Sequence, residues 1–350
     1  MKSSGGAARA GSATPIVVFT ALALASAGVF VAVLAAGGVR PSMGAYHGAR
    51  DHAIEVVTGG VPGRALAAAL GRWLRHIVLS PFFYLSTAAI LLLERLRPAR
   101  PAQPLFSIGF AQDLAWYFLS LGLVLAVGGW FREAFAAAYD AHLGFLTVGA
   151  ISRWPVWLRF LFGVLAGDFL AWLHHWVRHK VGAFWAFHAV HHAQRELNLW
   201  TNERVHVVDF VVATLLQTLP SLAPGVGTSQ VAAFALVAAW YTRLYHANVR
   251  TRLGPLRYVL VTPQSHRVHH SVLPEHRDKN FGVLFSVWDR LFGTQLDVPA
   301  GDYPPTGVAD AAFPLATRYV AIPRNLLREQ VYPFVALFRR GDLPARPGAV

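Results

Sequence analysis

Val156-Trp-Leu-Arg-Phe-Leu-Phe-Gly-Val-Leu-Ala-Gly-Asp168-Phe-Leu-Ala-Trp-Leu173-His174-His175-Trp-Val-Arg178-His179 is the stretch that decides the fold. It opens on an apolar run, Val156 to Leu173, close to the length a bilayer crossing needs. It closes on His175 and His179, which a helix places on one face about 5–6 Å apart. An apolar helix that ends in two imidazoles is a membrane span that delivers metal ligands to one side.

The rest of the chain agrees with that solvent. Of 350 residues, 55% are hydrophobic and 14% charged, against roughly 25% charged in ordinary soluble domains. Further apolar stretches run from Ile16 to Val39, Ile77 to Leu93, Leu114 to Phe131, Val207 to Leu222 and Val231 to Tyr245. The last two are either full spans or a shallow hairpin. The first is longer than the roughly 7–15 apolar residues of a secretory signal, which favours an anchor over a cleaved peptide. The expected fold is all-α, a polytopic integral membrane helical bundle.

Lys and Arg outnumber Asp and Glu by 31 to 18, for a net charge of +13. The basic residues punctuate apolar runs instead of forming stripes interleaved with exposed aromatics, so no nucleic-acid partner is expected. Arg95, Arg97 and Arg100 follow the second stretch, and Arg178, Lys180, Arg195 and Arg204 follow the fourth, which puts both loops on the cytoplasmic side. With no cysteine in the chain, thiolate metal sites, iron–sulfur clusters and cysteine nucleophiles are excluded. Residues 1–110 are expected to form an N-terminal anchor region with two spans, 111–300 the domain that carries the clustered histidines, and 301–350 a tail. The tail carries an amphipathic surface helix from Arg324 to Arg340, with Leu327, Val331, Val335 and Phe338 at helical spacing.

Twelve of the 16 histidines lie between His174 and His276. The pair His175 and His179 is followed by His188-x-x-His191-His192, and 78 residues later by His266-x-x-His269-His270. With His246 these give nine candidate ligands, too many for one ion with an open position and suited to two. Imidazole suits iron, copper, nickel and zinc, whereas magnesium and calcium want carboxylates that this region scarcely provides. Every motif falls on the side assigned to the cytoplasm, so one di-metal site can collect them all. His174 points about 100° away from His175 and is a neighbour, not a ligand. His206 is either a tenth ligand or a hydrogen-bond donor to one. Asp168 is an acid well inside a span, seven residues before His175, and so a functional candidate; its other role is a polar cap or a partner for Arg159. His47, His52, His76 and His142 are assigned nothing.

No H-E-x-x-H zinc-protease motif and no G-x-S-x-G elbow occurs. The ferritin-like di-iron pattern, with Glu-x-x-His on two helices, has a single match at Glu203 to His206. A metal-ion transporter or metal-binding protein is the alternative, but transport sites lie near the bilayer midplane on interrupted helices, and these histidines sit at the ends of spans.

Four stretches in order resemble the fatty acid hydroxylase and sterol desaturase superfamily of membrane di-iron oxygenases. They are Asp168 to His179; Trp185-Ala-Phe-His188-Ala-Val-His191-His192 with Arg204-Val-His206; His246-Ala-Asn248; and Thr262-Pro-Gln-Ser-His266-Arg-Val-His269-His270-Ser271, leading into Asp278-Lys-Asn280-Phe-Gly282 and Trp288-Asp-Arg-Leu-Phe-Gly-Thr294. The family continues past His206 with proline, where this chain has Val207. The resemblance implies two iron ions on His175, His179, His188, His191, His192, His246, His266, His269 and His270. Asp168, His206 and Asn280 would support them. It also implies O₂ as co-substrate, a lipid substrate that is hydroxylated or desaturated at a C–H bond, and electrons from an NAD(P)H-linked donor protein, cytochrome b5-like or ferredoxin-like. The location implied is a bacterial inner membrane, or the endoplasmic reticulum of a eukaryote. Trp288 to Thr294 is expected to be an amphipathic segment packed under the site.

Overall fold

Where they are described, the expected apolar stretches fold as helices, Leu114 to Phe131 as far as Leu123. The computed structural model describes residues 81–123, 138–146, 149–222, 228–310 and 313–338. The expected span from Ile16 to Val39 lies outside them. The helices are α1 (Pro81–Leu96), α2 (Ile108–Leu123), the single turn α3 (Gly149–Ser152), α4 (Val156–Lys180), α5 (Gly182–His192), α6 (Val207–Leu222), α7 (Thr228–His246), α8 (Pro263–His269), the short α9 (Val287–Leu291) and α10 (Ile322–Phe338). Among the described residues β-pairing is limited to three isolated bridges, Pro98 with Val249, Leu260 with Phe285, and Ser271 with Thr306.

Helix α4 spans 25 residues, about 37 Å at 1.5 Å per residue, and is the described helix long and apolar enough to cross a membrane. Its outward side chains Trp157, Leu161 and Leu165 are exposed, as a lipid-facing helix requires. Past Leu173 the helix continues for nearly two more turns, and those turns carry His175 and His179. Helices α1, α2 and α6 have 16 residues each, about 24 Å.

One residue separates α4 from α5. Val181 is extended (φ −104°, ψ 115°), closes α4 by donating its amide to Val177 and leaves Gly182 to open α5. This corner folds the first His-x-x-His-His motif back against the end of α4. The second motif sits on a helix of seven residues, too short to hold itself by propensity. Thr262 starts it with a capping box, accepting from the Ser265 amide while the Ser265 hydroxyl accepts from the Thr262 amide, and Pro263 presets the first turn.

α4 packs against α5 and α6, α7 against α8, and α10 against α5 and α2. Under α5 lies the main apolar cluster, with Trp116, Trp185, Ala189, Val190, Ala193, Phe313, Tyr332 and Ala336 all buried. Removing either tryptophan would cost about 3–5 kcal/mol. The small residues Ala186, Ala189 and Ala193 let α5 approach its neighbours, so its histidine face is backed by dense packing.

The tail helix forms where the spacing predicts it, but the way it docks differs from that of an ordinary amphipathic helix. Asn325, Glu329, Tyr332 and Ala336 are buried, while Leu327, Val331, Val335 and Phe338 stay exposed. A buried charge cluster explains the inversion. Arg204 Nη2 donates to Glu329 Oε1 (2.6 Å), Arg204 Nη1 to Asp113 Oδ1 (3.2 Å) and Arg204 Nε to the Val190 carbonyl (2.7 Å). Trp116 Nε1 and Gln112 Nε2 complete the donors to Glu329. A paired carboxylate can be buried in this way because its acceptor sites are filled.

Candidate metal centre

Nine histidines from four helices meet at the ends of α4, α5, α7 and α8, and they divide into two groups. His175, His179, His188, His192 and His269 form the first, and His191, His246, His266 and His270 the second; within each group one ring nitrogen per residue lies within 4.8 Å of all the others. All nine are buried. The groups abut where the His192 and His270 rings stack at 4.3 Å.

Each His-x-x-His-His motif serves both groups. In the first motif His188 and His192 join one group and His191 the other; in the second, His266 and His270 join one and His269 the other. Helix geometry produces this split. Positions i and i+4 differ by about 40° around the axis, whereas i+3 points about 100° away from i+4. The two motifs therefore interlock, each giving two rings to one group and one to its partner.

Hydrogen bonds at the opposite edges of the rings aim the free nitrogens inward. His175 Nδ1–H donates to the Phe281 carbonyl (2.8 Å), His269 Nδ1–H to the Lys279 carbonyl (2.9 Å) and His246 Nδ1–H to the Thr242 carbonyl (2.8 Å). His188 Nδ1 lies 3.2 Å from Asp209 Oδ2, which accepts from Arg178 Nη1 (2.8 Å), and 3.2 Å from Arg178 Nη1 itself. A carbonyl can only accept, so His175, His246 and His269 keep their proton on Nδ1 and present a bare Nε2, the tautomer that the Asp209 carboxylate favours at His188. Nε2 of His175, His188 and His269 is buried with no partner. In the second group the Nε2 atoms of His246 and His266 approach to 2.8 Å, those of His191 and His246 to 3.2 Å, and those of His266 and His270 to 3.1 Å. These contacts are hydrogen bonds where one ring of a pair carries its proton on Nε2; with the protons on Nδ1 the buried lone pairs face each other, a cost that a cation between them removes. Metal cations fit that requirement, and an all-imidazole donor set suits iron among others.

The electrostatics agree. Burial, reinforced by neighbouring imidazoles and Arg178, holds His188, His191, His192, His266, His269 and His270 well below the ordinary histidine value of 6.5. The rings are thus neutral, the form that binds metal. Among the described residues, carboxylates pair with histidines of the first group only: Asp209 with His188, and Asp278, 3.7 Å from His179. Burial works against the Asp278 carboxylate, but His179 and Lys180 outweigh it and hold its pKa at about 2.

The loop from Asp278 to Gly282 supplies two of the carbonyl acceptors. Asp278 and Asn280 both adopt left-handed backbone (φ 56° and 59°), a conformation that Asp and Asn tolerate better than most residues. The turn they make presents the Lys279 and Phe281 carbonyls to His269 and His175. Asn280 Nδ2 donates to the Ser265 and Leu296 carbonyls, and its Oδ1 accepts from the Leu296 amide. Asp289 takes the amides of Phe281 (2.9 Å) and Gly282 (2.7 Å) together with Trp172 Nε1 and Thr294 Oγ1. Gly282 has no alternative there, because a Cβ would lie 2.8 Å from the Phe285 carbonyl oxygen and 2.8 Å from Val261.

Asp168 and His206 stand outside both groups. Asp168 accepts from the Leu284 and Phe285 amides and from Trp288 Nε1, and so anchors the Trp288 segment to α4. His206 Nε2 donates to the Gln330 carbonyl (2.9 Å), and its Nδ1 accepts from the Val208 amide, at the start of α6. One acid escapes a motif-based search: Asp209 lies in the first turn of an apolar stretch, and that misplaced charge is its one sequence signal. Asp289 stands inside the Trp288 to Thr294 stretch, where the sequence assigns it no role of its own.

Residues 160–294 match the family model described as fatty acid hydroxylase. The chain is 29% identical over 223 residues to ornithine lipid hydroxylase OlsE of Rhizobium tropici, covering 63% of this chain and 67% of the relative. Identity to alkylglycerol monooxygenase is 35% over 152 residues in Danio rerio and 34% over 143 residues in Homo sapiens. Those two matches cover 43% and 41% of this chain but only 32% and 31% of the relatives, so the chain spans about a third of the length of the alkylglycerol monooxygenases. No solved structure matches it. Through the histidine-bearing region that carries them, these matches support the fatty acid hydroxylase and sterol desaturase superfamily.

Proposed function

We propose that the chain is a membrane-bound di-iron oxygenase that hydroxylates a membrane lipid at a C–H bond. The observation that carries this reading is the pair of interlocked imidazole groups, with buried Nε2 atoms that lack partners. His175, His179, His188, His192 and His269 would hold one iron, and His191, His246, His266 and His270 the other. When bound and reduced, the pair would supply the O₂-activating chemistry. The balance is R–H + O₂ + 2 e⁻ + 2 H⁺ → R–OH + H₂O, and it needs an electron-donor protein, cytochrome b5-like or ferredoxin-like, fed by NAD(P)H.

The residues of the chain do the rest. The carbonyls of Thr242, Lys279 and Phe281 and the Asp209 carboxylate fix ring tautomers so that ligand geometry precedes metal arrival. The surrounding burial excludes water from the site. The exposed apolar faces of α1 and α4, with Leu85, Leu92, Trp157 and Leu165, support a polytopic fold in which a lipid reaches the site from the bilayer. The loop charges support a cytoplasmic site. The relatives, a lipid hydroxylase and monooxygenases, favour hydroxylation over desaturation and favour an enzyme over a metal transporter. A polar glycero- or amino-acid-linked lipid is the substrate class they suggest.

Protein purified in detergent from an iron-fed host should retain two irons per chain. One iron or none, with the fold intact, would sink the di-iron proposal. Iron flux into proteoliposomes independent of O₂ and reductant would instead favour the transporter.

A further inference from the structure

Helix α10 has its amphipathicity turned inside out. Its core-facing side is Asn325, Glu329, Tyr332 and Ala336, and its outward stripe is Leu327, Val331, Phe334, Val335 and Phe338, each at least 40% exposed and Phe338 85%. Val320 precedes the helix at 88% exposure. At 100° per residue these positions fall in one band about 100° wide, as wide as the buried stripe of an ordinary surface helix. Exposed apolar residues scattered singly need no explanation, but a contiguous stripe does.

Three observations say what covers it. First, the stripe continues the exposed apolar surface at the end of α4. The Phe334 ring lies 5.3 Å from that of Phe187 on α5, and one turn back along α5 are the exposed Phe184 and then Val181, where α4 ends. Second, Arg324 and Arg328 are exposed on the same side of the helix, while its one acid, Glu329, is buried on the other. Third, the Arg204 pairing with Glu329 fixes the rotation of the helix, so the stripe faces outward by construction.

We infer that α10 is an in-plane membrane helix, seated at the headgroup boundary of an anionic bilayer with its Leu327 to Phe338 stripe in the acyl region. This rests on the proposed membrane reading of α4. The occupant is the lipid surface, with Arg324 and Arg328 at the phosphates. Helices of this kind bury their apolar face about 5–10 Å into the boundary, and basic side chains beside them add attraction to anionic lipid.

The chain has no cysteine, so single-cysteine labelling needs no background substitutions. Leu327→Cys, Val331→Cys and Phe338→Cys would each carry an environment-sensitive nitrobenzoxadiazole dye, with Leu165→Cys on α4 and Glu275→Cys in an exposed loop as references. The full chain would be placed in nanodiscs of phosphatidylcholine and phosphatidylglycerol containing quenchers near the headgroup or near the acyl terminus. The expected result is blue-shifted α10 labels quenched most by the shallow quencher, Leu165 quenched most by the deep one, and Glu275 unquenched. Replacing Arg324 and Arg328 with Gln should weaken the shallow quenching of Leu327. Unquenched α10 labels beside a quenched Leu165 would overturn the inference alone, whether water or a protein partner covers the stripe. If Leu165 is unquenched as well, the membrane reading of α4 falls with it.

Discussion

Asp209 and the Lys279 carbonyl each offer an acceptor to Nδ1 of a histidine in the same group, and so favour the proton there. Replacing Asp209 with Asn should keep the volume and remove the obligatory acceptor, freeing His188 to take the other tautomer. The expected effect is about 10–100-fold weaker retention of one iron, read by competition with a chelator; unchanged retention of both irons would contradict the assignment. Two substitutions within one motif should act on different ions. His269→Ala removes a ligand of the first group and His266→Ala one of the second, so Mössbauer spectra of the two iron-57-loaded variants should lose different components. The cluster was legible because nine histidines recur in repeated spacing, and the i, i+4 pairs do converge. What spacing alone left out is that the intervening i+3 ring, turned about 100° from its neighbour, falls in the other group. The partition needs both motifs in space, and so does the role of Asp209.

At the scale of elements, the site depends on how α5 and α8 are held. Arg204 links α5 to α2 and α10 through the Val190 carbonyl, Asp113 and Glu329. Arg204→Met would leave two buried carboxylates without their cation, a loss of about 3–5 kcal/mol, seen as a lower thermal midpoint in detergent. A midpoint unchanged within error would show that the cluster is not holding α5. The Asp278 to Gly282 loop is the other support: Gly282→Ala, blocked on two sides, should lower iron content by displacing the Phe281 carbonyl from His175. The apolar helices were legible as runs of hydrophobic residues, with Val207–Leu222 matching in both bounds. The direction in which α10 faces was not. Periodicity reports that a stripe exists, and only the burial of Glu329 against Arg204 determines that the stripe looks outward.

Across the whole molecule, the buried imidazoles make stability depend on pH. Their folded pKa values lie below the 6.5 of an unfolded histidine, so the unfolded state binds more protons in the window beneath 6.5. Stability is therefore full above about pH 6.5 and declines as pH falls through that window, by up to about 1.4 kcal/mol per pH unit for each ring that stays neutral in the fold. Protons also compete with metal for the same nitrogens. Iron loss and a falling unfolding midpoint should both begin near pH 6 on acidification; a midpoint flat down to pH 4.5 would contradict neutral, buried ligands. One measurement reaches fold, metal and lipid together. Lipid extracts of cells with and without the chain, grown under heavy-isotope O₂, should differ by a lipid that has gained one heavy oxygen atom. That lipid should be absent when His191 is replaced by Ala. A product that has lost two hydrogens instead, or oxygen drawn from water, would contradict the account.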